Sequence, residues 1–168
     1  MLIELSEVLS DDVVTAEGKK LGVIDRALVD GRTGRVAGFQ VSLNGVIKRF
    51  AGLNYVDVLE VNRHSVIVDQ PSSLSKNLKD FDIVYKNFGS VVGVAAKTES
   101  GRGLGKVSDL LFEIESGLIV RFYLRNLLAE RIIPREYMVS ITPKQIVFRD
   151  IVDQPIFDSI AAQAAPTN

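Results

Sequence analysis

Cysteine is absent and histidine occurs once, at His64, in a chain of 168 residues. Without thiols there are no disulfides, no thiolate nucleophiles and no zinc–sulfur centres. An excess of charge is missing as well. Twenty Lys/Arg face 21 Asp/Glu, a net charge of −1, and the halves hardly differ: ten against eleven in residues 1–80, ten against ten in 81–168. Proteins that grip nucleic-acid backbone do so by neutralising phosphates, so this balance argues against DNA or RNA as the main ligand. Long apolar runs are also lacking. The longest, near Val91-Val92-Gly93-Val94-Ala95-Ala96, is far too short to cross a bilayer. The opening Met1-Leu2-Ile3-Glu4-Leu5-Ser6-Glu7 has acids where a secretory signal needs a basic start and an apolar run. The expectation is a protein of the cytoplasm, with no membrane insertion.

What the chain does have is a repeat. A shift of 83 lays Val14–Val41 on the second half without gaps, and seven pairs are identical: Thr15/Thr98, Gly18/Gly101, Leu21/Leu104, Gly22/Gly105, Leu28/Leu111, Gly34/Gly117 and Phe39/Phe122. Conservative pairs such as Asp30/Glu113, Thr33/Ser116 and Val36/Ile119 fill much of the rest. One structural unit has been used twice. With 46% hydrophobic and 24% charged residues the chain is globular in composition. Each unit, at about 80 residues, is near the lower size at which a core supports itself, so the halves are expected to pack together.

Short aliphatic runs separated by turn signals every ten residues or so predict strands of a barrel or sandwich. In the first unit Leu5–Asp12 reads as a lead-in loop or turn, followed by strands over Val13–Thr15, Leu21–Asp30 and Val36–Leu43. Asn44-Gly45 reads as a two-residue hairpin turn, with Val46–Phe50 returning, a loop at Gly52–Asn54, and strands over Val56–Val61 and Val66–Val68. Leu74–Asp80 reads as a short closing helix. The second unit repeats the plan, with a tight turn at Pro134–Tyr137 and another small helix over Pro155–Ala165. The expected divisions are residues 1–80, residues 81–155 and a short helical or frayed tail, 156–168.

Gly18, Leu21-Gly22, Leu28-Val29-Asp30 and Val36–Val41, with Gly101, Leu104-Gly105, Leu110–Glu113, Ile119–Leu124 and Ile133-Pro134 in the second unit, form a pattern that resembles the PRC-barrel family. The resemblance implies an all-β fold of two tandem small barrels, each followed by a short helical segment. Such barrels occur in the photosynthetic reaction-centre H subunit and in the ribosome-maturation factor, where they bind other proteins or large assemblies without catalysis of their own. Whole-protein identity with either is not expected, because the H subunit has a membrane-spanning helix and the maturation factor a different N-terminal barrel.

Chemistry-bearing motifs are sparse. Gly101–Lys106 fails as a phosphate loop, since Ser100 stands where the first glycine belongs and Val107 where Ser or Thr would hold a metal. His64, with Asp57 and Glu60 nearby in sequence, reads as a surface-turn residue, and Asp11-Asp12 and Glu113/Glu115 as acids beside strand ends. No catalytic, cofactor or metal residues are expected. The most suggestive charges are Arg121, Arg125, Arg131 and Arg135, with Tyr123 and Tyr137: Arg and Tyr are enriched in protein interfaces and also stack on RNA. These six are the candidate partner-binding residues. The expected function is a non-enzymatic scaffold or adaptor docking a protein or macromolecular assembly. The alternative is a ribosome- or RNA-associated accessory factor, and homo-oligomerisation stays open.

Overall fold

The computed structural model describes residues 1–47, 49–62, 64–75, 88–142 and 144–150. Strand β1 (Leu2–Glu4) runs into a single helical turn, α1 (Leu5–Val8). Strands β2 (Asp12–Thr15), β3 (Lys20–Asp30), β4 (Arg35–Leu43) and β5 (Phe50–Asn54) follow. A 3₁₀ turn at Tyr55–Asp57 leads to β6 (Val58–Asn62) and β7 (Ser65–Val68), and one at Pro71–Ser73 leads to β8 (Leu74–Ser75). The second half contains β9 (Phe88–Gly89), β10 (Ala95–Thr98), β11 (Gly103–Glu113), β12 (Ile119–Arg125) and β13 (Glu130–Pro134). It closes with a 3₁₀ turn at Arg135–Tyr137, then β14 (Met138–Ile141) and β15 (Gln145–Phe148).

The protein is therefore mostly β, in two sheets of one plan. The first runs β6-β7-β2-β3-β4-β5 and the second β14-β15-β10-β11-β12-β13. In each, only the pair joining the last hairpin to the first strand (β2 with β7, β10 with β15) is parallel. Alternation along β4 and β12 puts Phe39, Val41, Phe122 and Leu124 in the interior, as a half-buried strand requires. Phe122 meets Phe148 edge-on at 5.4 Å, and Phe39–Tyr55–Phe112 carries the aromatic packing from one unit to the other, with centroids 5.8 and 6.4 Å apart. The two sheets thus share one continuous hydrophobic cluster.

The units meet about a local two-fold axis. Val36 N donates to Gly117 O (2.8 Å), and Ile119 N donates to Gly34 O (3.1 Å). Both pairs are equivalent under the shift of 83, and the axis passes through the antiparallel bridge between Arg35 and Leu118, themselves equivalent residues. Gly34 and Gly117 hold φ of +65° and +67°, a region where a side chain is strained. The acids before these turns act alike. Asp30 accepts from Arg32 N (2.9 Å) and the Thr33 hydroxyl (3.0 Å), and Glu113 accepts from the Ser116 hydroxyl (2.6 Å). Burial works to raise the Asp30 carboxyl, but these hydrogen bonds and Arg32 outweigh it and hold it below the usual range.

Leading strands are exchanged across the seam. β1 pairs with β11 of the second unit, Leu2 opposite Glu113, while β9 pairs with β3 of the first, Phe88 opposite Asp30. Each unit thus lends a strand to the edge of its neighbour.

Several local expectations are corrected. Residues 2–4, for which no element was expected, form a strand, while Leu5–Val8 makes a single helical turn within the expected lead-in turn, with Leu5 and Val8 buried and Glu4 N donating to Glu7 Oε1 at 3.2 Å. Asn44-Gly45 does not make a two-residue turn: Asn44 N donates to Leu21 O and its Nδ2 to Lys20 O, tying it to β3, and Leu43 N closes a wider loop on Arg49 O. Val46 and Ile47 are accordingly loop apex, not strand. Gly52-Leu53 is strand, since Leu53 is fully buried opposite Phe39. Leu74-Ser75 is not helical either; Leu74 is buried and the pair adds a short edge strand to β5. The remainder of that expected helix (76–80), the helix over Pro155–Ala165 and the tail 156–168 lie outside the described residues.

Candidate functional site

Of the six candidate residues, three share one face. Along β12, Phe122 and Leu124 point into the core, so Arg121, Tyr123 and Arg125 point out. β13 supplies their cross-strand partners: Pro134 opposite Arg121, Ile132 opposite Tyr123 and Glu130 opposite Arg125. Directly opposed side chains on one face are in reach of one another. Tyr123 and half-exposed Ile132 (49%) make the apolar centre of this face, and Arg125 Nε donates to Glu130 Oε1 at 2.7 Å on its rim.

A shallow groove of about 340 Å³ lies here, bounded by Tyr123, Ile132, Arg125, Arg131, Asp109 and Glu4. Glu4 arrives on the exchanged strand β1 and sets its carboxylate beside Tyr123. Burial first, then the Glu4 carboxylate, raise the Tyr123 phenol above its ordinary pKa, with Arg121 opposing. Asp109 is engaged by backbone, accepting from Ser6 N (3.1 Å) and Leu110 N (2.7 Å). Three carboxylates (Glu4, Asp109, Glu130) and two guanidinium groups (Arg125, Arg131) line the groove. Its charge is mixed, unlike the basic face that phosphate neutralisation requires.

The other candidates go elsewhere or to the edge. Arg131 sits opposite inward-facing Leu124 and borders the groove from its end. Tyr137 is half-buried against the core. Arg135 belongs to the seam: its Nη2 donates to Thr33 O at 2.7 Å, and a Cβ placed at Gly34 would lie 2.8 Å from its Nε. Its counterpart in the first unit is Tyr55, also the first residue of a 3₁₀ turn, whose hydroxyl donates to Ile114 O at 2.6 Å. Sequence reasoning missed Glu4, Asp109 and Ile132. For Ile132 a signal existed, an aliphatic on the outward phase of β13; Glu4 is brought in by a long-range strand pairing that leaves no local pattern.

Elsewhere, His64 is exposed in the turn between β6 and β7, Asp12 pairs with Lys20 at 2.6 Å, and Asp57 accepts from Asn54. Asp11 is largely buried, and burial raises its carboxyl above the usual range. Among the described residues no group of three His, Cys, Asp or Glu could hold a metal ion, and no helix is long and apolar enough to cross a membrane.

No curated protein matches the chain. Residues 1–75 match the family model of the PRC-barrel domain, so the first half of this chain carries a PRC-barrel domain.

Proposed function

We propose that this protein is a non-enzymatic adaptor of two PRC-type barrels, residues 1–80 and 81–155, that docks a protein partner in the cytoplasm. The tandem reading rests on the identical strand order of the two sheets and the gapless shift of 83. The docking reading is carried by one observation: the outward face of β12 and β13 sets half-buried Tyr123 and exposed Ile132 inside a rim of opposite charges. An apolar centre with a polar, charge-mixed rim is the anatomy of a protein interface, and Tyr and Arg are the residues that most often dominate binding energy there. Mixed charge favours a protein over RNA as the occupant.

The test is capture of partners from native lysate, with and without nuclease, by the parent and by Tyr123→Ala/Ile132→Ser. Capture of one protein in both conditions, lost in the variant, supports the adaptor. Ribosomal proteins recovered only without nuclease would replace it with the RNA-associated alternative.

A further inference from the structure

The hairpin after the second long strand ends in an apolar apex in both units. In the first, Leu43 N donates to Arg49 O at 2.8 Å and closes a loop on which Val46 and Ile47 stand 106% and 74% exposed. In the second, Asn126 N donates to Ala129 O at 3.0 Å, and Asn126 Oδ1 accepts from Leu128 N and Ala129 N, both at 2.8 Å. Leu127 and Leu128 there stand 102% and 96% exposed. Neither apex is slack, since each is braced by its own asparagine. The strand beside each base comes close: a Cβ at Gly22 would lie 2.3 Å from Ser42 O, and one at the equivalent Gly105 2.5 Å from Arg125 O.

Cations surround both apices. Lys19, Lys20 and Arg49 are exposed by the first, Lys106 and Arg125 by the second, where Lys106 and Arg125 are in register. Asp12 answers Lys20 and Glu130 answers Arg125, while Lys19, Arg49 and Lys106 have no carboxylate within ion-pair distance among the described residues.

The two apices share chemistry but not shape. One is three residues shorter, one carries Val-Ile and the other Leu-Leu, and the shift of 83 fails there. A shape-selective pocket would discriminate between them. A surface that is uniform, yielding and anionic would not. Convex apices of adjacent aliphatics ringed by cations suit the headgroup boundary of a bilayer, where apolar groups sink below the phosphates and Lys and Arg stay level with them. We propose that the hairpin tips Val46-Ile47 and Leu127-Leu128 seat the protein on an anionic lipid surface. β4 and β12 leave the antiparallel Arg35–Leu118 bridge in opposite directions, so each tip makes its own contact with the lipid. This contact involves no spanning segment; its second apex shares Arg125 and Glu130 with the groove on β12 and β13, whereas Tyr123 and Ile132 lie outside both tips.

The test is flotation of the full chain with vesicles of phosphatidylcholine alone and of phosphatidylcholine mixed with phosphatidylglycerol. The parent is expected to float with the mixed vesicles, poorly with the neutral ones, and to be released by high salt. Val46→Ser/Ile47→Ser should remove the first tip's contact and roughly halve binding, since each buried aliphatic is worth about a factor of ten at its own tip. Adding Leu127→Ser/Leu128→Ser should bring it to background, while Tyr123→Ala/Ile132→Ser floats like the parent. All four tip side chains project into solvent, and circular dichroism confirms that the fold is kept. The proposal is overturned if the parent floats with neither vesicle, if it floats equally with both, or if the tip variants float as it does. Tip-dependent capture of a protein in the absence of lipid binding would reassign the apices to a protein.

Discussion

Tyr55 and Arg135 hold the same place in two copies of one plan. Each opens a 3₁₀ turn, reaches over the seam to a turn carbonyl of the other unit, and covers its glycine. Tyr55 does so as a dry aromatic link between Phe39 and Phe112. Arg135 does so as a cation, with its Nε buried and unpartnered. The comparison teaches that the seam specifies a donor of sufficient reach, while the remainder of the side chain is free to differ. What both sides share without variation is the glycine beneath.

The largest effect should come from the cores, where the units are alike. Phe39→Ala and Phe122→Ala, equivalent and fully buried, should each cost about 3–5 kcal/mol. Because the cluster is continuous, urea unfolding should stay a single transition in both variants. Two separate transitions would break the comparison at its root.

The seam glycines should differ more. A Cβ at Gly117 would meet Val36 O at 2.7 Å, fixed backbone, whereas at Gly34 it would meet the Arg135 side chain. Gly117→Ala is therefore expected to cost about 2–3 kcal/mol and Gly34→Ala about 1 kcal/mol, both including the strain of positive φ. Equal losses of melting temperature would mean that Arg135 is held as firmly as backbone.

At the covering residues, Tyr55→Phe leaves the Ile114 carbonyl without its donor and should cost about 1–2 kcal/mol. Arg135→Met, on the wetter side, should cost less than 1 kcal/mol, since partly exposed polar contacts contribute little. Chemical denaturation of the two variants ranks them.

The smallest effect is confined to alkaline pH. Burial, helped by Glu115 and Glu113, pushes the Tyr55 phenol up to about 12 from its ordinary 10.0. A phenol raised in the folded state favours the neutral form there, so its contribution is complete below pH 10 and is lost as pH climbs toward 12. Absorbance titration should show late-ionising tyrosines, Tyr123 among them, and Tyr55→Phe should remove one such phase. An unchanged titration curve would place Tyr55 in water.

Much of this was legible in the sequence, for local reasons. The shift of 83 is gapless over the long bent strand and its turn, where Gly34/Gly117 and Asp30/Glu113 answer fixed backbone needs. Period-two alternation sufficed to put Arg121, Tyr123 and Arg125 on one outward face. The first hairpin tip was misread because Asn44-Gly45 carries a strong two-residue signal that tertiary bonds to Lys20 and Leu21 override. Arg135 was grouped with the surface arginines because its partner, Thr33, lies in the other unit. Glu4 could not be foreseen for the same reason: nothing within β1 says that it will join β11.

The exchange of leading strands also bears on how such a chain emerges from the ribosome. β1 is made well before β11, whose edge it completes, and β3 of the first unit likewise waits for β9. Neither sheet is completed by its own half alone, so folding by halves during synthesis leaves part of a strand edge open until the other half arrives. Because both halves lie on one chain, the exchange is a folding step within a single molecule.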